Sequence, residues 1–143
     1  MSDQPKTYVY TRVREVMTTP SQTIDGLASV RHAIDRMREE RVSSLVIDRR
    51  HKGDEYGMLS VHDIAGKVIA MDRSPERISV YEIMSKPVLT VDVEMDVKYA
   101  IRMLTRFRLT RALVVEQGNM VGVVTLRDMA IRHTAPSDGA SEG

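Results

Sequence analysis

The 143 residues include no cysteine, no tryptophan and a single phenylalanine. Without cysteine there is neither a disulfide framework nor a thiolate metal site, a composition compatible with a reducing compartment. Excess charge of one sign is lacking too. Twenty-one basic residues stand against 20 acidic ones, for a net charge of +1, so the basic field of a nucleic-acid binder is missing. No apolar run approaches the roughly 18 residues of a membrane span. The start, Met1-Ser2-Asp3-Gln4-Pro5-Lys6, has no apolar signal-peptide core, and the expectation is a cytoplasmic protein without membrane attachment.

Catalytic motifs are equally scarce. The sequence has no Gly-x-Ser-x-Gly elbow and no glycine-rich phosphate loop of either common type, so hydrolysis and phosphoryl transfer have no visible machinery. His32, His51, His62 and His133 fall on different segments without ligand spacing, and no metal site is read from them. Arg102, Arg106, Arg108 and Arg111 beside Phe107 form a basic run. The mixed charges of Arg36, Arg38, Glu39, Glu40 and Arg41 at the matching place earlier in the chain identify such a run with a solvated helix end. The ten methionines fit an adaptable core.

What is present is a duplication. Val16-Met17-Thr18-Thr19-Pro20 returns as Ile83-Met84-Ser85-Lys86-Pro87, and Gly57-Met58-Leu59-Ser60-Val61-His62-Asp63 returns as Gly122-Val123-Val124-Thr125-Leu126-Arg127-Asp128. From Met17 and Met84 to Arg41 and Arg108 the copies are 67 positions apart; from Gly57 and Gly122 to Asp63 and Asp128 they are 65 apart. One two-residue deletion accounts for the change. It falls opposite Arg49 to Glu55, where a surface hairpin can absorb length. Each copy is too short to bury a core alone, so the two should pack together and share a seam, and a seam is where a ligand would sit. The boundaries read as an extension over 1–12, a first copy over 13–71, a linker over 72–79, a second copy over 80–133 and a disordered polar tail over 134–143.

Within each copy the apolar period changes in the same order. Val13, Val16 and Met17 suggest a short opening helix, and Ser79 with Glu82 makes a capping box for its twin at Val80 to Met84. Pro20 or Pro87 then stops the helix and hands the chain to an extended segment, Ser21 to Ile24 or Val88 to Val91. Val30, Ala33, Ile34 and Met37 behind the cap Ser29 have helical spacing, as do Val97, Ala100, Ile101 and Leu104 behind Asp96. Two strands follow, Leu45 to Ile47 and Tyr56 to Leu59, mirrored by Ala112 to Val115 and Met120 to Val124. A last helix carries Ile64, Val68, Ile69 and Met71, or Met129 and Ile131.

Ser60 with Asp63, and Thr125 with Asp128, stand where a strand gives way to a helix. A carboxylate there accepts two hydrogen bonds from a vicinal diol, which suits a ribose. The hydroxyl and free backbone amides suit an anion, and Gly57 and Gly122 permit close approach of backbone or ligand. The same spacing also describes an N-cap followed by an acid in the first turn, which needs no ligand.

Taken in order, the Met-Thr-x-Pro turn, strand, helix ending near Arg, strand pair and Gly-h-h-[Ser/Thr]-x-x-Asp helix resemble the cystathionine β-synthase (CBS) domain, twice over, from about Val13 to His133. The resemblance implies an α/β (α+β) fold: two tandem β-α-β-β-α repeats packed sheet to sheet about a pseudo-twofold axis, with clefts that in many members bind adenosine compounds. It implies a regulatory module rather than an enzyme, associating as a homodimer of CBS pairs and read by an unidentified protein effector. AMP, ADP or ATP is the expected regulatory ligand, with no catalytic cofactor. By the same resemblance His62 and Arg127 face phosphates, with Arg111 joining them. The adenine rests on Thr18 to Gln22 in one copy and Ser85 to Leu89 in the other, with Thr18, Gln22 and Leu89 as contacts. Because Ser44 opposes Arg111 and His62 opposes Arg127, the two sites should differ. The alternative is a dimerisation scaffold that needs no ligand.

Overall fold

The computed structural model describes residues 10–19, 23–86 and 88–133. Pro20, Ser21, Gln22 and Pro87, the first nine residues and the expected tail over 134–143 lie outside the described residues. In chain order the elements are a 3₁₀ turn Val13–Glu15, α1 Val30–Glu40, β1 Ser44–Ile47, β2 Gly57–Ser60 and α2 Val61–Ile64, which continues as a π-helical turn Ala65–Ile69. After a 3₁₀ turn Val80–Glu82 come β3 Thr90–Asp92, α3 Val97–Arg106, β4 Arg111–Glu116, β5 Asn119–Thr125 and α4 Leu126–His133. This is the mixed α/β architecture that the repeat pattern implies.

The elements gather into two compact units that exchange their opening turns. The first unit is Pro20–Val88, and the second joins Met1–Thr19 to Leu89–Gly143. The turn that starts the first copy therefore belongs with the strands of the second copy.

In the first unit α1 begins where the Ser29 hydroxyl accepts the His32 N–H at 3.0 Å. Val30, Ala33 and Met37 recur at helical spacing and are buried. The helix ends on Arg41 in the left-handed conformation (φ 56°), and the Val42 N–H reaches back to the Met37 carbonyl at 3.1 Å. Glycine usually fills such a position. Here both copies use arginine, since Arg108 (φ 57°) ends α3 in the same way with Leu109 bonded to Leu104. A cation at a helix C-terminus complements the exposed carbonyls.

β1 and β2 pair antiparallel, Ser44 with Ser60 through Ile47 with Gly57. Ile24 adds a parallel bridge on one edge and Ser85 an antiparallel bridge, to Met58, on the other. Leu45, Ile47 and Leu59 turn inward to meet α1, Ile64, Val68, Val80 and Ile83. The expected last helix is shorter than its apolar pattern. Ile64 and Val68 are buried, but the wide π turn ends the helix early and leaves Ile69 and Met71 on the surface.

In the second unit β3 pairs parallel to β4, and β4 antiparallel to β5. Gln117 and Gly118, both with positive φ, make the two-residue β4–β5 turn. Residues 48–56 make the corresponding connection in the first unit, so the length difference is taken up in the hairpin loop. α3 is capped by the buried Asp96, which accepts the Lys98 N–H at 3.0 Å. Val13 and Val16 from the opening turn fill the core beside Val97, Leu104, Val124 and Met129, whereas Ile131 is exposed.

The opening turn is held by strand pairing. Thr18 and Val123 exchange two backbone hydrogen bonds of 2.8 Å, and Ser85 and Met58 do the same in the first unit at 2.9 and 3.0 Å. A glycine precedes each acceptor strand residue. A Cβ on Gly122 would lie 2.7 Å from the Met17 sulfur and 2.9 Å from the Thr18 carbonyl oxygen, and one on Gly57 would lie 2.7 Å from the Met84 sulfur.

Two predictions follow from these contacts. Gly122→Ala should destabilise by about 1–3 kcal/mol, because the backbone oxygen it meets cannot give way. Gly66→Ala, with nothing within 4 Å of the added carbon, should be neutral or stabilise by up to about 1 kcal/mol. Urea unfolding of both variants checks the pair; equal midpoints would refute the close-approach argument. The second concerns acid. The Lys86 ammonium 2.6 Å from Asp54, with the Arg50 N–H on its other oxygen, holds the Asp54 carboxyl well below the ordinary carboxylate range. Since the folded value is depressed, the stabilisation is complete above the ordinary value of about 4 and fades as pH falls below it. Wild type should lose stability more steeply than Lys86→Met between about pH 4 and pH 2; parallel slopes would contradict the pairing.

Candidate functional site

The two strand-to-helix junctions are built alike. β5 ends at Thr125, whose hydroxyl oxygen accepts the Asp128 N–H at 3.0 Å as α4 begins. β2 ends at Ser60, whose hydroxyl oxygen accepts the Asp63 N–H at 3.1 Å. The capping role open to these residues from their spacing is thus fulfilled in both copies, and it fixes each aspartate in the first turn of its helix. Asp63 and Asp128 are both half-buried.

Their carboxylates differ in what they already hold. One Asp63 oxygen accepts the Ser60 N–H at 3.0 Å and the Ser60 hydroxyl at 3.1 Å, closing a reciprocal capping box. The other lies 3.3 Å from the Lys67 ammonium, which also donates to the Ile83 carbonyl at 3.0 Å. A carboxylate has about four acceptor directions, and three are used at Asp63. Among the described residues nothing donates to the Asp128 carboxylate. Lys67 escaped the sequence reading; its i,i+4 spacing from Asp63 was the available signal.

In the second unit the ladder sets Arg111 directly across from Thr125, at the same end of the sheet as Asp128 and Arg127. Arg127 is exposed and Arg111 half-buried. Leu89 lies one strand over, its carbonyl accepting the Leu113 N–H at 2.9 Å. Thr18 is exposed on the opposite edge, beside Val123 rather than Thr125. In the first unit Ser44 occupies the rung across from Ser60, and His62 is exposed on α2. Gln22 is outside the described residues. One junction therefore presents a carboxylate at the sheet end that also carries Arg111 and Arg127, while its twin offers an occupied carboxylate, a serine and a histidine. Among the described residues no cluster of histidine and acidic side chains has the form of a metal site, and no helix is long and apolar enough to cross a membrane.

This arrangement can be set beside known proteins. The family model of the CBS domain matches residues 13–70 and 80–132, so the chain belongs to the CBS-domain family as a tandem pair. An uncharacterized protein of Methanopyrus kandleri is 30% identical over 118 residues, which are 81% of this chain and 57% of that protein. The chain thus spans little more than half of that relative. The hexameric CBS-CP12 protein from bloom-forming cyanobacteria is 33% identical, with a TM-score of 0.82 over 87% of this chain and 72% of that one. The CBS domain pair of protein MJ0100, solved with 5′-methylthioadenosine and S-adenosyl-L-methionine, has a TM-score of 0.74 at 22% identity over 87% of this chain and 96% of that one, a likeness of fold alone.

The cap itself is testable. Thr125→Ala should cost about 0.5–2 kcal/mol by releasing the Asp128 N–H, while Thr125→Ser should retain most of that. Chemical denaturation measures both; an alanine variant as stable as the serine one would show that the hydroxyl does not cap.

Proposed function

We propose that this chain is a regulatory module that binds an adenosine ligand of the AMP, ADP or ATP kind and signals through a change in packing or dimer state, without catalysing a reaction. The observation that carries the reading is the Asp128 junction: a half-buried carboxylate that takes no hydrogen bond from the described residues, next to Thr125 and in reach of the level of Arg111 and Arg127. Such a carboxylate accepts the two hydroxyls of a ribose, and guanidinium groups at the same sheet end suit phosphate oxygens. Family membership supports the reading, as do the adenosine compounds held by the MJ0100 pair. The candidate contacts are Thr125, Arg127, Asp128, Arg111, Leu89 and Thr18 in the second unit, and Ser60, His62, Asp63 and Gln22 in the first. Of the two junctions, that of Asp128 is the stronger binder, because at Asp63 a ligand has to share a carboxylate with Ser60 and Lys67. A ligand that favours one of two arrangements shifts their populations, and a protein partner reads the result.

A ligand-independent dimerisation scaffold is the second reading. It is favoured by the apolar groove between α1 and α2, where Ile34, Met37 and Val42 face Val61, Ile64 and Ile69, with Val61 and Ile69 exposed by half or more.

A thermal-shift screen with AMP, ADP, ATP, NAD and S-adenosylmethionine separates the two. At about 100 times the Kd the expected stabilisation is about 2.7 kcal/mol, a rise in Tm of roughly 5–10 °C. Asp128→Ala should abolish the rise, and Asp63→Ala should leave most of it. No shift with any of the five compounds would overturn the sensor reading and leave the scaffold.

A further inference from the structure

The two copies differ as much at the far end of their sheets as at the capped junctions. In the second unit the Arg14 guanidinium sits between two carboxylates, 3.0 Å from Glu94 and 2.7 Å from Glu116, and Arg12 reaches Glu94 at 2.8 Å. The equivalent positions of the first unit, by the repeat register, are Tyr81 for Arg14, Leu27 for Glu94 and Arg49 for Glu116. The central cation has become an aromatic ring, one acid an apolar side chain and the other acid a base. Where the second unit holds an ion-pair network, the first has a cavity of about 500 Å³.

Three kinds of group line it. Leu27, Met84 and the Tyr81 ring supply apolar surface above the fully buried Ile47. The Arg50 guanidinium stacks over Tyr81 at 4.0 Å from the ring centroid. Among the described residues it has no carboxylate partner. Lys86 also lines the cavity, but its charge is spent on Asp54 at 2.6 Å, the same carboxylate that takes the Arg50 backbone N–H. Asp25 and Asp48 stand on the remaining wall, each accepting one backbone N–H, from Leu27 and Arg49 respectively. Arg49 itself also lines the cavity, its guanidinium stacked over Tyr56 and donating to the Lys52 carbonyl. Stacking fixes a guanidinium plane while leaving its N–H edge open for a planar carboxylate.

We propose that this cavity binds a free α-amino acid with an apolar side chain. The carboxylate pairs with Arg50, the ammonium lies toward Asp25 and Asp48, and the side chain rests on Leu27 and Met84. The Asp25 and Asp48 carboxylates on the lining repel a polyanion such as a nucleoside triphosphate. The volume is that of an ordinary small-molecule site and accommodates an amino acid with a few waters. The cavity stands at the Ile47 end of the first unit's sheet, whereas Ser60 and Asp63 stand at the Ser44 end, so this inference does not rest on the adenosine reading.

The test is isothermal titration of the full chain with leucine, methionine and phenylalanine. At least one should bind with a Kd between about 1 μM and 1 mM. Arg50→Ala should weaken it at least tenfold, as should Leu27→Glu, which restores the acid of the second unit. Asp128→Ala should leave it unchanged. Leucinamide, which lacks the carboxylate, and 4-methylpentanoate, which lacks the ammonium, should each bind at least tenfold more weakly than leucine. The proposal is overturned if none of the three amino acids binds by 10 mM, if binding survives Arg50→Ala, or if 4-methylpentanoate matches leucine.

Discussion

Everything in each unit depends on a short backbone exchange made possible by a missing side chain. Thr18 lies against Val123 through two hydrogen bonds, and the carbonyl that follows from this pairing passes where a Cβ on Gly122 would stand. Glycine is there because of close approach, not because of an unusual dihedral. The pairing brings Val13 and Val16 into the second unit's core and fixes the path of β5 up to Thr125. Ser85, Met58 and Gly57 repeat the device in the first unit, with Val80 and Ile83 as the inserted side chains. Remove the exchange and each small sheet loses both an edge partner and part of its core.

The capped junctions are where folding and the proposed binding draw on the same atoms. A threonine or serine hydroxyl that satisfies a helix N–H also places an acid three residues on at a defined distance from the strand end. Capping alone leaves a carboxylate with acceptor capacity to spare, as at Asp128. At Asp63 most of the spare capacity is consumed locally, by the serine that it caps in return and by Lys67 one helical turn away. Exposed ion pairs are worth little, about 0–1 kcal/mol. In the proposed site Lys67 would therefore weaken a ligand at Asp63 rather than bar it. Duplication supplied two equivalent junctions, and small side-chain changes around unchanged aspartates made them unequal.

The same divergence runs through the opposite sheet ends. Exchanging Arg14, Glu94 and Glu116 for Tyr81, Leu27 and Arg49 replaces a closed charge network with a lined cavity, next to the hairpin connection that is longer in the first unit. Repeat architecture tolerates this because the core residues beneath, Ile47 and its counterpart Val114, remain apolar and buried. Chemistry varies on the rim and packing is preserved under it.

Much of this was legible in the chain before folding. The helices over Val30–Glu40 and Val97–Arg106, their caps Ser29 and Asp96, and the four strands of the two hairpins followed from period and capping chemistry, which are local. So did the pairing of Ser60 with Asp63 and of Thr125 with Asp128, because a cap spans only three residues. The register of the duplication revealed Arg111 against Ser44 as a difference between copies, and the ladders place each across from its capping residue. Local pattern overreached at Ile69, Met71 and Ile131, which have helical spacing but stay exposed, since burial depends on what lies opposite. What only the tertiary structure decided is partnership at a distance. The assignment of each opening turn to the other copy's sheet, the hold of Lys67 on Asp63 and Ile83 together, and the stacking of Arg50 on Tyr81 join residues through space. Period and spacing record only which neighbours a residue has along the chain, and these contacts are set by where the folded backbone brings distant segments within a few ångströms.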